Sequence, residues 1–463
     1  MKQYLILGAG VAGRRAAEAI LERDTDGLIT ILEEQENPLY ARPMLGEWMG
    51  RDAGAKKAAT KNGGPFSDQR IKFRPNVAAQ EIRPEQQKVL LNTNELIHFD
   101  KLLIASGRRT GKLPCDQGNT TGIHYMDRLA DIQAASNDIS SAHKALISGS
   151  SYQALAAAKG LRNNGIDCTM VIPEPRIWPD ILDNTASRIL EQRLQQEKIQ
   201  LVRNAEIQVI LEDQGKLHSV IVSGGNRLPA DLLIVTSPQI PKLDSLINTS
   251  LATPGGVEVD STLHTSIENI YAAGDAALLP SELATNDHTQ AGWLRAWKQG
   301  HIAGINMAGG SLTYKGIPSI RTRLFDLNIV CLGLSGAEGE DIQSQSGNYP
   351  YDEMPYIYKK ILYKNDKVVG AIFIGDVSEA GMVEKWIANG LTKAECDTKV
   401  LTNMFEVQYA SSAAYGVLCP VCKFHMQIDD RVKEGEVITC PACGIDFRVA
   451  QRSNGAFNAV PLN

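Results

Sequence analysis

The stretch Tyr4–Asp24, "YLILGAGVAGRRAAEAILERD", constrains the chain more than any other. An apolar β-type run, Tyr4–Leu7, feeds Gly8-Ala9-Gly10-Val11-Ala12-Gly13, and an alanine-rich helical pattern comes directly after it. Gly8 permits a tight turn, Gly10 lets the backbone approach a pyrophosphate, and Gly13 lets the helix pack on the strand. Val11 and Ala12 open the helix, whose free N–H groups and dipole favour an anion. A second apolar run, "LITILEE", ends in Glu33-Glu34. Glu34 lies 21 residues beyond Gly13, the reach an acid needs to meet a ribose diol. Strand, glycine turn, helix, strand and acid together predict a dinucleotide site.

Composition excludes several alternatives. A net charge of −6 argues against a nucleic-acid partner, whose phosphates call for a basic face. No apolar run approaches the ~20 residues that cross a bilayer. The opening "MKQYLILGAG" runs straight into the motif without a signal-peptide pattern, which predicts a cytoplasmic protein.

A second strand–turn–helix–strand pattern occurs in "KALISGSSYQALAAAKGLRNNGIDCTMVI". Here Gly149 is followed by Ser150 and Ser151, and Ser151 adds bulk where a phosphate would approach. Ala154 in the third glycine position is small enough for helix–strand contact. The second strand ends on Ile172 where the acid would lie, and Glu174 is two residues further, between prolines.

Further on, "IENIYAAGDAALLP" places Gly274-Asp275 after an apolar β-type segment, a turn suited to binding a polyol. With this motif the sequence resembles the two-dinucleotide flavoprotein reductases, in particular NADH:rubredoxin oxidoreductases and the flavin portion of nitrite reductase large subunits. "PLYARPML" is similar to their flavin-contacting loop, "LLIASGRRT" to their crossover, and Tyr358–Gly381 to their small C-terminal domain. The last segment also reads as a β-hairpin about Asn365-Asp366.

The resemblance implies FAD, with Gly8, Gly10 and Gly13 around its pyrophosphate, Glu34 on the adenosine ribose and Asp275 on the ribityl chain. It further implies Arg42 and Pro43 along the flavin, Val77 at adenine through its backbone, and Ala105 and Gly107 near the isoalloxazine or phosphates. Glu47 stands where some relatives carry a lysine, and Ala156 where they carry a glutamate facing nicotinamide and flavin. "IVTSPQIPK" lacks a glycine that relatives show near the nicotinamide. No cysteine precedes Cys115, so the CxxxxC pair of disulfide reductases and the single cysteine of NADH oxidases are absent. NAD(H) use stays open, and NADP fits least, Arg176 being the one candidate for a 2′-phosphate. Ser151→Gly together with Ile172→Glu is expected to restore the nicotinamide site.

After a small, polar linker, "CPVCKFHMQIDDRVKEGEVITCPACGIDFRV" carries two CxxC pairs with 17 residues between Cys422 and Cys440. Cys419, Cys422, Cys440 and Cys443 can place four thiolates about one metal. Zinc would make the segment a structural ribbon, iron a rubredoxin-like carrier. It is similar to the zinc ribbon of the amino-group carrier proteins of lysine biosynthesis, and zinc is the expectation. His425 is either a fifth candidate ligand or an exposed strand residue.

The expected fold is α/β: tandem Rossmann-like FAD and NAD(P)-type domains, a small α+β domain and a zinc ribbon. Residues 1–110 and 243–310 form a discontinuous FAD domain and 111–242 a degenerate NAD(P)-type domain. The small domain covers 311–395, a linker 396–415 and the ribbon 416–452. The implied function is an FAD-dependent oxidoreductase moving electrons between NAD(H) and an iron–sulfur or rubredoxin-like protein. The alternative is an FAD subunit of a larger hetero-oligomeric redox complex, with an impaired nicotinamide site and the ribbon as docking module.

Overall fold

In the computed structural model the described residues are 1–36, 40, 42, 45–49, 68–279, 292–351, 354–396, 415–418, 425–428, 433–439, 446–451 and 457–461. Pro43 and the four CxxC cysteines lie outside them. The chain forms two compact units. One comprises Met1–Pro179, Ser187–Pro280 and Ala296–Tyr314, the other Asp180–Ala186, Ser281–Arg295 and Lys315–Asn463.

The first unit holds two five-stranded parallel sheets. In one, β1 (Gln3–Leu7) pairs with β2 (Leu28–Glu33) and β4 (Lys101–Ile104), and β2 pairs with β3 (Ile71–Pro75). Its fifth strand, Ile270–Ala272, joins β4 from beyond the second sheet, so this layer is discontinuous in sequence. Four of the five β1 residues are buried, as a central parallel strand covered on both faces requires. Helix α1 (Val11–Arg23) lays Ala12, Ala16, Ala17 and Ile20 against this core.

The second sheet has the order β8 (Gln200–Val202), β7 (Asp167–Val171), β6 (Lys144–Ser148), β9 (Leu232–Val235), β5 (Ile123–Tyr125), again all parallel. Helix α2 (Tyr152–Asn163) comes after β6 as α1 comes after β1. Two copies of one strand–turn–helix unit therefore sit at the centres of two sheets.

The second unit is built on an antiparallel sheet: β10 (Ser319–Leu324), β11 (Leu327–Gly333), β14 (Lys367–Ile374), β13 (Met354–Lys364), β12 (Ile342–Tyr351). The expected hairpin is β13–β14. Its turn residues Asn365 and Asp366 have φ of 50° and 64°, the left-handed pair a two-residue type I′ turn demands. Helix α3 (Ala380–Asn389) covers one face with Val383, Trp386 and Ile387. Val417, Phe447 and Val449 enter the same apolar core, so the C-terminal strands share it with β11, β13 and β14.

One cross-strand row on this sheet carries Arg321, Val330, Phe373 and Lys359. The Lys359 side chain is 0% exposed and donates to Asp376 and Glu379, each at 2.6 Å. Arg321 donates to Glu384 of α3 at 2.6 Å. Burial works to raise the Asp376 carboxyl, but the hydrogen bond and charge of Lys359 outweigh it and hold the group below its ordinary range. A folded-state value below the unfolded one, about 3.9, means the pair stabilises fully above that pH and is lost as pH falls through the folded value.

Lys359→Met leaves two carboxylates facing each other without their cation and should cost about 3–5 kcal/mol. Hydrogen exchange over residues 354–389 should accelerate accordingly, and acid sensitivity near pH 4 should diminish in Lys359→Met/Asp376→Asn/Glu379→Gln. Unchanged exchange in the single variant would refute this assignment.

Candidate functional site

The first glycine turn is set by close approach. Gly8, at φ +104°, stacks its Cα on the Ala105 carbonyl, where a Cβ would overlap that oxygen. A Cβ on Gly13 would overlap the Gly8 carbonyl. Gly10 differs: among the described residues a Cβ there meets nothing within 4 Å, so the turn has room beside this position. Gly10 is the N-cap, with no side-chain cap bond and no acid in the first turn. The N-terminal donors of α1 and its dipole are thus left for an external anion.

Glu33, 7% exposed, ends β2 and reaches back to the turn, where its carboxylate accepts from the Ala9 N–H at 2.9 Å. It also accepts from the Gln35 N–H at 3.1 Å. Glu34 points elsewhere. It is half exposed and pairs with Lys242 at 3.0 Å. The acid at the loop is therefore Glu33, the last residue of β2, while Glu34 lies just past the strand with its carboxylate on Lys242.

The other expected flavin residues converge on the same strand ends. The Val77 N–H donates to the Glu33 carbonyl at 3.0 Å, which places Val77 beside the end of β2. The Ala105 N–H donates to Leu7. The Arg42 guanidinium lies over Gly107, with Nη1 3.6 Å from a Cβ built there. Gly274 brings the Asp275 turn against α1, since its Cβ would stand 3.1 Å from the Ala12 Cβ. Arg108 donates to the Asp275 carbonyl at 3.1 Å and fixes the turn.

Sequence reasoning missed Gln299. This residue, 0% exposed, accepts from the Gly274 N–H at 2.8 Å, while its buried Nε2 has no partner among the described residues. It comes 25 residues after Gly274 and belongs to no motif. An orphaned donor, an open helix N-terminus and an inward carboxylate fit a polyanionic dinucleotide with polyol groups.

The second turn has the same backbone and different side chains. Gly149 sits at φ +110°, near Gly8. Ser151 is the N-cap of α2, and its hydroxyl accepts from the Ala154 N–H at 3.2 Å. The serine thus occupies one donor that an incoming phosphate would use. Ser150 donates to the Glu174 carboxylate at 3.3 Å, and the Trp178 indole donates to the Ser150 carbonyl at 2.5 Å. Ile172 is 0% exposed. A glutamate at 172 would have to be desolvated, as Glu33 is at the end of β2.

Ala156 is also a packing residue. It is buried, and a Cβ on Gly46 would overlap it. A Cβ on Gly160 would overlap the Gly46 carbonyl, and the Asn164 amide donates to Met49 at 3.1 Å. Helix α2 therefore seats directly on the backbone beyond Arg42, with no room for a longer side chain at 156. Arg176 donates to the Pro179 carbonyl at 3.2 Å.

Thiol chemistry has no support among the described residues. Cys115, Cys168, Cys331 and Cys396 are unpaired, and burial pushes the Cys168 and Cys331 thiols up to about 12. No cluster of three or more His, Cys, Asp or Glu is placed for a metal among the described residues. No helix of the described residues is long and apolar enough to cross a membrane.

Comparison with known proteins matches this geometry. Residues 2–300 match the pyridine nucleotide-disulphide oxidoreductase family, 326–391 the rubredoxin NAD+ reductase C-terminal domain, and 417–455 the alpha-aminoadipate carrier protein LysW-like globular domain. The chain is 26% identical over 383 residues to an assimilatory nitrate reductase electron transfer subunit of Bacillus subtilis (strain 168), covering 82% of this chain and 48% of that protein. It thus spans about half the length of that relative. It is 24% identical over 334 residues to a ferredoxin–NAD(P)(+) reductase of Sphingomonas sp, covering 72% and 81% respectively. The putidaredoxin reductase–putidaredoxin complex shares the fold at a TM-score of 0.75 and 18% identity, over 84% of this chain and 94% of that one. With a match running from residue 2 to 300 and the paired strand ends described above, the chain belongs to the pyridine nucleotide-disulphide oxidoreductase family.

Proposed function

We propose that the protein is an FAD-dependent oxidoreductase that passes electrons between NAD(H) and a small iron–sulfur or rubredoxin-like protein. The observation that carries this reading is the convergence at the α1 N-terminus. There Gly10 leaves open space, Glu33 turns to the Ala9 N–H and the Gly274–Asp275 turn abuts Ala12. FAD, when bound, supplies the two-electron and one-electron chemistry. Gly8, Gly10, Gly13, Val11 and Ala12 hold its pyrophosphate, Glu33 its adenosine ribose, and Val77 the adenine edge. Ala105, Gly107 and Arg42 would line the ring system and Asp275 would take the ribityl hydroxyls; Pro43, expected beside them, lies outside the described residues.

The relatives' printed activities support the electron-transfer role, since they include a ferredoxin–NAD(P)(+) reductase and an electron transfer subunit. Four unpaired thiols favour a reducing, cytoplasmic setting. In that setting Cys419, Cys422, Cys440 and Cys443 hold a structural zinc. A second reading has its own observation. The Ser151 cap and the tightly packed Ala156 weaken the nicotinamide site and favour an FAD subunit of a larger redox complex.

Three experiments test these readings. Gly10→Val projects into open space, so the fold should persist while the pyrophosphate path is blocked, giving colourless protein. Stoichiometric flavin in that variant would defeat the assignment. Ser151→Gly should cost only about a few tenths of a kcal/mol of helix stability yet tighten NADH binding roughly 3- to 10-fold by freeing the Ala154 N–H. Equal NADH affinity in titrations of both proteins would remove the serine from the account. Metal analysis should give about one zinc per chain, lost in Cys440→Ser. A ferric–thiolate spectrum after flavin removal would make the tail an electron carrier instead.

A further inference from the structure

The two strand–turn–helix units superimpose in their backbone hydrogen bonds. Gly8 N–H donates to the Leu32 carbonyl, and Gly149 N–H to the Val171 carbonyl. Val77 N–H donates to the Glu33 carbonyl, and Ala205 N–H to the Ile172 carbonyl. By this register Ile172 occupies the place of Glu33. The second unit is two residues shorter between turn and strand end (32 − 8 = 24 against 171 − 149 = 22).

The side chains ignore that register. Glu33 contacts Ala9 at a separation of 24 residues, and Glu174 contacts Ser150, the equivalent loop residue, at a separation of 24. Glu174 thus restores the lost spacing by standing two positions beyond Ile172. Its backbone is pinned, because its carbonyl accepts from the Asn204 N–H at 3.2 Å and prolines 173 and 175 fix φ on either side. Ser150, 8% exposed, donates to the carboxylate, and Trp178 in turn holds the Ser150 carbonyl.

We propose that Glu174 is the carboxylate that receives the adenosine ribose diol at the second turn and makes this site select NAD(H) over NADP(H). The inference rests on the reading that the second turn takes a nicotinamide dinucleotide. A carboxylate there accepts from both ribose hydroxyls and repels a 2′-phosphate. Ser150 is its positioning residue: the hydroxyl holds the carboxylate at the loop and gives way when the diol arrives. The nearby cation that would reverse the preference, Arg176, has its guanidinium turned to the Pro179 carbonyl.

The test uses the full-length, flavin-loaded protein and two probes, ADP-ribose and 2′-phospho-ADP-ribose, in calorimetric titrations, with anaerobic flavin reduction by NADH alongside. Wild type should prefer ADP-ribose. Glu174→Ala should weaken ADP-ribose binding about tenfold or more and narrow the discrimination between the probes. Glu174→Gln, which keeps shape and one acceptor, should fall between. The flavin-reduction rate constant at saturating NADH should stay unchanged, because the residue lies at the adenosine end. Unchanged flavin content certifies that each variant folds. If wild type and both variants bind ADP-ribose equally, Glu174 is not the acceptor, while the nicotinamide reading survives. If wild type binds neither probe and NADH leaves its flavin oxidised, the nicotinamide reading fails and this assignment fails with it.

Discussion

Everything at the first site depends on one carboxylate turned back across a strand end. Glu33 leaves β2 buried and reaches the Ala9 N–H in the glycine turn, so the turn and the second strand are tied before any ligand arrives. The consequence is preorganisation. The α1 donors stay exposed over the empty space at Gly10, the acid already faces the loop, and the Gly274 turn is held against Ala12 by Gln299. A dinucleotide entering this arrangement needs little rearrangement of the backbone, which is why such sites bind tightly for the contacts they make.

At the second turn the same arrangement is altered by its side chains and by a connection two residues shorter. The two copies share their backbone, down to the paired hydrogen bonds at the strand ends. The helix N-terminus of the second copy, however, is closed by Ser151, and its helix face is committed to the Gly46 backbone through Ala156 and Gly160. An acid also reaches this loop, by a different route: the Glu174 carboxylate accepts from the Ser150 hydroxyl.

The second unit contributes a different kind of constraint. Lys359 is buried with its two carboxylates, and the C-terminal strands place Val417, Phe447 and Val449 in the same core as Phe373 and Trp386. A module whose apolar face is spent in this way is anchored to the small sheet.

Much of this was legible in the sequence, and for a local reason. Glycine spacing, the apolar runs before it, the Asn365-Asp366 turn and the paired CxxC segments act over a few residues, where sterics and backbone geometry leave few options. These determined the family, the two dinucleotide-type turns and the hairpin. Tertiary structure decided what spacing counts cannot. Glu33 and Glu34 are neighbours in sequence, yet Glu33, the last residue of β2, bonds the loop while Glu34 pairs with Lys242. Ile172 looked like a simple vacancy, but it is a core residue. Glu174, set aside between two prolines, comes back to the loop because the second unit is two residues shorter. Gln299 enters the first site from a helix that no motif marks. In each case the deciding quantity is where a side chain ends up after distant strands have stacked, and burial and hydrogen-bond satisfaction fix that only when the whole sheet is in place.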